Sequence, residues 1–233
     1  MTKKENKEVV IISVGGSMIF PEEINTSFLS HLKDFVLNGV KKGKRFVIVC
    51  GGGKICRKYQ HAALEVTKLR PQDVDWLGIH STRLNAQLVK AIFLPKVEEV
   101  IIHDPFDKKV SFTKPILIGA GWKPGWSTDF VSVCLAKRFK AKKLINLTNI
   151  DYIFDKDPRE FKDAKRIEEI NWKEFRKLIP KKWDPGLSSP FDPIASKEAE
   201  VLGLQVAIIN GNKLEEADAF INGKNFVGSI IKP

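Results

Sequence analysis

The sequence predicts an α/β protein, a three-layer αβα sandwich around a central, mainly parallel sheet. Three observations carry that expectation. Short β-branched runs alternate with amphipathic segments along the whole chain. Several of those runs end in glycine and pass straight into a helical pattern. No apolar run approaches the roughly 20 residues needed to cross a membrane. With 233 residues, 43% of them hydrophobic, the chain can bury a large core, and it suits one domain spanning residues 1–233 and folded as two lobes.

The elements follow in order. A strand is expected over residues 8–14, where Val9-Val10-Ile11-Ile12-Ser13-Val14 runs into Gly15-Gly16-Ser17. An amphipathic helix over 25–42 precedes a strand over 45–50, three glycines and a helix over 54–68. A longer helical pattern over 73–93 leads to strands over 98–103 and 115–119. Ser127 or Thr128 can cap a helix over 128–139, because a hydroxyl there accepts from a first-turn amide. Strands over 143–147 and 204–209, helices over 171–179 and 192–202, and a closing strand over 226–231 complete the pattern. No internal repeat or low-complexity linker interrupts it. The two lobes are expected to divide near residues 119–125, as about 1–120 and about 121–233.

Composition narrows the class. The start, Met1-Thr2-Lys3-Lys4-Glu5-Asn6-Lys7-Glu8, has no apolar segment behind it and reads as a polar tail rather than a signal peptide. The net charge is +11, but the lysine pairs at 3–4, 41–42, 108–109, 142–143 and 181–182 are scattered over helix ends and loops. That pattern describes a solvated surface better than a nucleic-acid track, and it also attracts small anions. Cys50, Cys56 and Cys134 are odd in number and lack metal-site spacing, which fits a reducing cytoplasm. Cys56 stands at a helix start, where a thiol pKa can fall, but no histidine is paired with it and it reads as structural.

The chemistry is concentrated in the glycine turns. Val47-Ile48-Val49-Cys50-Gly51-Gly52-Gly53-Lys54 is a strand, a bare turn and a helix start. Such a turn lets an anion approach the main chain, and the free amides and dipole of the helix favour it. Gly15-Gly16-Ser17 offers a second such turn, so the chain presents two phosphate sites, as a phosphoryl-transfer enzyme requires. Neither turn matches GxxxxGK[ST] or GxGxxG. In Gly119-Ala120-Gly121-Trp122-Lys123-Pro124-Gly125-Trp126-Ser127-Thr128-Asp129, a loop with two tryptophans can stack on a base or pack internally. Leu147-Thr148-Asn149-Ile150-Asp151-Tyr152-Ile153-Phe154-Asp155-Lys156-Asp157-Pro158 follows another strand and can hold an adenosine or form an ordinary turn. All these segments fall beyond strand ends, where open α/β sheets bind their ligands.

These blocks, with Trp76-Leu77-Gly78-Ile79-His80-Ser81-Thr82-Arg83-Leu84-Asn85-Ala86 and Phe191-Asp192-Pro193-Ile194-Ala195, resemble in order and spacing the uridylate (UMP) kinases of archaeal type, in the amino acid kinase superfamily. The resemblance spans essentially the whole chain. It implies transfer of the γ-phosphoryl group of ATP to UMP with Mg²⁺, in a cytoplasmic homohexamer, with UMP on the first lobe and ATP on the second. Gly52 would meet the UMP phosphate and Asp75 the ribose hydroxyls, with Trp122, Lys123, Pro124, Gly125, Trp126, Ser127 and Thr128 closing on the uracil. Gly16 and Ser17 would meet ATP phosphates, and Gly53 and Arg57 would lie between the two nucleotides. Thr148, Asn149, Phe154 and Asp157 would line the adenosine site. Lys54, Arg57, Asp129 and Asp192 are the catalytic candidates, the aspartates ordering Mg²⁺ or neighbouring cations while the metal is held mainly by phosphates.

The chain departs from that pattern in three places. Ser13 stands where many superfamily kinases carry lysine, which passes a cationic role to Lys54. Asp151-Tyr152-Ile153-Phe154 replaces the usual Asp-Gly-Val-Tyr. The loop with Trp122 and Trp126 is one residue longer and more aromatic than usual. Another small-molecule kinase of the superfamily, or a non-catalytic nucleotide-binding relative, is the competing reading.

Overall fold

A computed structural model describes residues 8–110, 112–158, 160–181 and 189–233. The polar start up to Lys7, with its lysine pair, and Lys182 lie outside the described residues.

The expected αβα architecture is present. Eight strands form one sheet in the order β3-β4-β2-β1-β5-β9-β10-β8. They are β1 (Val9–Val14), β2 (Arg45–Cys50), β3 (Val97–Ile102), β4 (Ile116–Gly119), β5 (Lys143–Thr148), β8 (Glu169–Asn171), β9 (Gln205–Asn210) and β10 (Ser229–Lys232). All pairings are parallel except β9 with β10. A hairpin of β6 (Ile153–Phe154) and β7 (Arg166–Ile167) stands apart.

The strands alternate between two cores, as a sheet covered on both faces must. Val10, Ile12, Val14, Phe46, Ile48 and Cys50 face a layer made by α1 (Gly16–Ile19), α2 (Thr26–Lys41), α4 (Pro71–Ile92) and α8 (Leu214–Ile221). Ile11, Val47 and Val49 face α5 (Thr128–Phe139), α6 (Trp172–Leu178) and α7 (Pro193–Val201). The remaining helix, α3 (Gly53–Val66), packs on α4 rather than into either core, and Gln60 is its one buried residue.

Caps explain several boundaries. Asn25, Ser127, Asn171 and Asp192 each accept a first-turn amide of α2, α5, α6 and α7, which removes one of the unpaired donors a helix start exposes. Pro71 at the start of α4 and Pro193 at the start of α7 fit where no amide is needed.

The chain runs from β1 to β2 on one side and later from β5 to β9 on the other, so direction reverses around β1. That crevice is where a doubly wound sheet binds ligands. Because β1, β2, β4, β5 and β9 are parallel, both glycine turns and residues 120–121, 149 and 211–212 all emerge at the same sheet edge.

Candidate active site

Gly16 and the triple glycine are interlocked. A Cβ on Gly16 would fall 1.8 Å from the Gly53 nitrogen, and one on Gly51 would fall 2.6 Å from the Gly16 nitrogen. Gly53 also takes φ 73°, in the left-handed region that a side chain disfavours. The two turns therefore bring bare backbone together at the head of α3, whose first amides have no intrahelical acceptor.

Two cavities open from this junction. One, of about 480 Å³, is lined by Gly16, Ser17, Glu22, Lys54, Asn149 and Asn212 among others. The second, of about 250 Å³, is lined by Gly52, Asp75, Gly78, Thr82, Trp126, Ser127 and Thr128 among others. Gly16, Gly53 and Arg57 line both. Arg57 has no carboxylate partner among the described residues, whereas Lys54 is ion-paired with Glu22.

The smaller cavity is held by α4. Asn85, buried, donates to the carbonyls of Gly51 and Gly52 at 2.8 and 3.0 Å, which fixes the triple-glycine turn. The Thr82 hydroxyl donates to Ile79 O at 2.7 Å and accepts from Gly121 N at 2.8 Å. Asp75 accepts from Gly125 N at 2.7 Å, and burial raises its pKa. Gly125 reaches that bond at φ 87°. Burial pushes the nearby Cys56 thiol up, the opposite of what a helix start alone would do, and supports its structural reading.

Behind Thr128 lies a pair of acids. Asp129 accepts from the Ser13 hydroxyl at 3.0 Å and from Asp192 N at 3.2 Å. Its carboxyl is crowded enough that burial, and then the Asp192 charge, push its pKa up to about 7. Asp192 is buried and its pKa is raised by burial; one oxygen caps Ala195 N at 2.6 Å. The Ser127 hydroxyl is near enough to favour its charge, yet Oδ2 makes no hydrogen bond of ordinary geometry among the described residues. Among the described residues, no lysine or arginine is ion-paired with either acid. The site has no cluster of three metal-ligating side chains among the described residues, and two hard carboxylate oxygens suit a cation that arrives largely ligated by phosphate.

The structure thus gathers Gly16, Ser17, Gly52, Gly53, Lys54, Arg57, Asp75, Trp126, Ser127, Thr128 and Asn149 around the two cavities. Others stand farther back. Trp122 packs between Phe106 and Trp126, with Lys123 over its ring at 4.0 Å, and Pro124 lies in the same loop without lining the cavity. Thr148 ends β5 beside Asn149, and Phe154 and Asp157 belong to the hairpin region, outside the larger cavity's lining. Among the described residues Arg83 forms no salt bridge; it donates to Trp122 O at 3.1 Å. Sequence reasoning passed over Thr82, Asn85 and Asn212. The signal for the first two was present, since they are polar residues on the α4 stripe that also buries Ile79, Ala86 and Val89.

The amino acid kinase family model matches residues 8–210. A uridylate kinase of Sulfurisphaera tokodaii is 34% identical over 96% of this chain and 99% of its own length. One of Thermococcus kodakarensis is 30% identical over the same shares. Among solved structures, uridylate kinase from Archaeoglobus fulgidus superposes with a TM-score of 0.78 at 25% identity, covering 95% of this chain and 99% of that one. The UMP kinase of Bacillus anthracis, at 22% identity, shares the fold with a TM-score of 0.79, covering 97% and 96%. With two glycine turns interlocked at a sheet switch point and a sequence match running from β1 to the end of β9, this chain belongs to the amino acid kinase family.

Proposed function

We propose that this protein is a UMP kinase that transfers the γ-phosphoryl group of ATP to UMP, giving UDP and ADP. The observation that carries the reading is the junction at Gly16, Gly53 and Arg57, common to two cavities of unequal size. A donor in the larger cavity and an acceptor in the smaller would present their phosphates to each other across that junction.

Catalysis would rest on positioning and on cations around the transferred group, because phosphoryl transfer asks little covalent work of a protein. The acceptor phosphate oxygen is already an anionic nucleophile, so no general base is needed. Arg57 bridges both phosphate sites, Lys54 serves the donor side, and the glycine amides receive charge that builds on the equatorial oxygens. Asp75 holds the ribose, and the loop carrying Trp126, Ser127 and Thr128 covers the base. Gly16, Ser17 and Asn149 line the donor phosphates and ribose, with Thr148, Phe154 and Asp157 forming the outer adenosine wall. Mg²⁺ carried on ATP would neutralise phosphate charge, with Asp129 and Asp192 as the protein oxygens that fit it. We place the acceptor lobe at about 1–120 and the donor lobe at about 121–233, with Gly16, Ser17 and Lys54 of the first lobe reaching across to the donor phosphates.

The same reading makes the protein a cytoplasmic homo-oligomer, a hexamer by the resemblance. Its support is the outer face of α3, where Tyr59, Leu64 and Val66 are exposed, together with three free cysteines. No helix among the described residues is long and apolar enough to cross a membrane.

A coupled assay of ADP release with ATP and Mg²⁺ against UMP, CMP, dUMP and isopentenyl phosphate tests the reading. Turnover on UMP is expected, and it should fall by roughly 100-fold in Arg57→Ala. Preference for another acceptor, or nucleotide binding without turnover on any, would replace it with the other superfamily readings.

A further inference from the structure

The larger cavity carries a group that a phosphate site should avoid. Among the described residues, Glu22 is the only carboxylate in its lining, and it is paired with Lys54 on the same rim. The backbone explains how the two face each other. Lys54 N donates to Phe20 O at 3.0 Å, Asn25 N donates to Ile19 O at 2.9 Å, and Lys58 Nζ reaches Glu22 O at 3.5 Å. The bend after α1 is thus stapled to the first turns of α3 by bonds that do not involve the Glu22 carboxylate. That carboxylate can release Lys54 while the bend keeps its place.

The pair is also easy to break. Its side chains are 46% and 68% exposed, and an exposed ion pair of this kind shifts an equilibrium by roughly a factor of two to five. A triphosphate entering the cavity brings several negative charges to the same ammonium group and outcompetes one carboxylate. The displaced carboxylate then faces like charge and moves toward solvent.

We infer that Glu22 is a positioning residue that holds Lys54 in the nucleotide-free enzyme and sets donor affinity by competing with the donor phosphates for it. The inference rests on the larger cavity being the ATP site. Glu22 acts through Lys54, so its effect belongs to donor binding rather than to the chemical step or the acceptor. Arg57, which has no such competitor among the described residues, remains available in both states.

Calorimetric titration of ATP, with and without Mg²⁺, into wild type, Glu22→Gln, Lys54→Ala and the double variant tests it, with steady-state kinetics alongside. Glu22→Gln is expected to bind ATP about threefold to fivefold more tightly at low salt, the gain shrinking as salt screens the pair. Its kcat should stay within about twofold and its KM for UMP should not move. In the Lys54→Ala background the same substitution should do nothing. An unchanged or weaker ATP affinity in Glu22→Gln overturns the inference, and a loss seen only with Mg²⁺ would make Glu22 a metal ligand instead. A gain of equal size in the Lys54→Ala background overturns it too, since Glu22 would then merely repel phosphate. Wild-type protein that binds UMP but no ATP would remove the donor reading and this inference with it.

Discussion

The two cavities share a junction but are built differently. The smaller cavity, the proposed acceptor side, is walled by α4, where buried Asn85 holds the Gly51 and Gly52 carbonyls and buried Thr82 holds Gly121 N through bonds of 2.8 to 3.0 Å. The larger cavity, the proposed donor side, is edged by solvent-exposed ion pairs, Lys54 with Glu22 and, beside Asn212, Lys213 with Asp151. Buried, fully satisfied polar networks fix geometry, while exposed pairs fix little and exchange partners readily. The wall of the smaller cavity is preformed and that of the larger is adjustable, which fits the proposal of one small acceptor and a larger, more highly charged donor.

The junction itself should be the least tolerant place. Gly16→Ala puts a methyl into the Gly53 backbone, so both sites should fail together, with kcat/KM down by about 1000-fold or more. Circular dichroism would establish that the fold persists. Arg57→Ala should lower kcat by roughly 100-fold, the scale for losing one preorganised charge partner of the transition state. Retention of more than a tenth of the wild-type rate would place Arg57 outside the transferring group.

Asn85→Ala separates the walls. It leaves the Gly51 and Gly52 carbonyls without their donor and should cost about 2 kcal/mol of stability. The KM for UMP should rise by about tenfold, with ATP affinity little changed. Equal losses for both substrates would mean that α4 supports the whole junction and not one wall.

The acid pair gives the comparison a pH axis. Asp129 ionises near its ordinary value, 3.8, in the unfolded chain and at about 7 when folded. The folded state therefore keeps a proton that the unfolded state has lost, and this group's contribution to stability falls as pH rises from about 4 through 7. In buffer free of nucleotide and metal, wild-type protein should melt at a lower temperature at pH 8 than at pH 5.5. Asp129→Asn should flatten that slope by up to about 2 kcal/mol. An unaltered slope would assign it to other groups.

Much of this was legible in the chain. The alternation of β-branched and amphipathic runs located the main strands and most helices within a few residues, because both faces of a parallel sheet must be covered and the pattern is strong. The short pieces were not legible: α1, the β6–β7 hairpin, β8 and α8 are too brief, or too closely coupled to neighbours, to show a period. The glycine turns announced the junction through Gly16, Gly52 and Gly53, but no local pattern could say that Gly16 and Gly53 touch across 37 residues. The same limit separates Trp126, which reaches the cavity, from Trp122, which packs behind it. Thr82 and Asn85 were readable only as polar breaks in a buried stripe, a signal that becomes specific once their carbonyl and amide partners are in place.

The smallest effect probes the outer donor edge. Asp151 accepts from Lys213 at 2.9 Å and from Asn210 at 3.0 Å, with both ends of the ion pair partly exposed. Asp151→Asn removes the charge and keeps the shape, so stability should change by less than about 1 kcal/mol. Freed from its carboxylate, Lys213 adds positive field near Asn212, and the KM for ATP should fall by no more than about threefold while that for UMP stays put. Salt should erase the difference, because nothing buried depends on it. A change in the KM for UMP as large as that for ATP would break the comparison at its weakest point: the far edge of the donor wall would then be coupled through β5 and β1 to the acceptor turn, and the two cavities would answer as one.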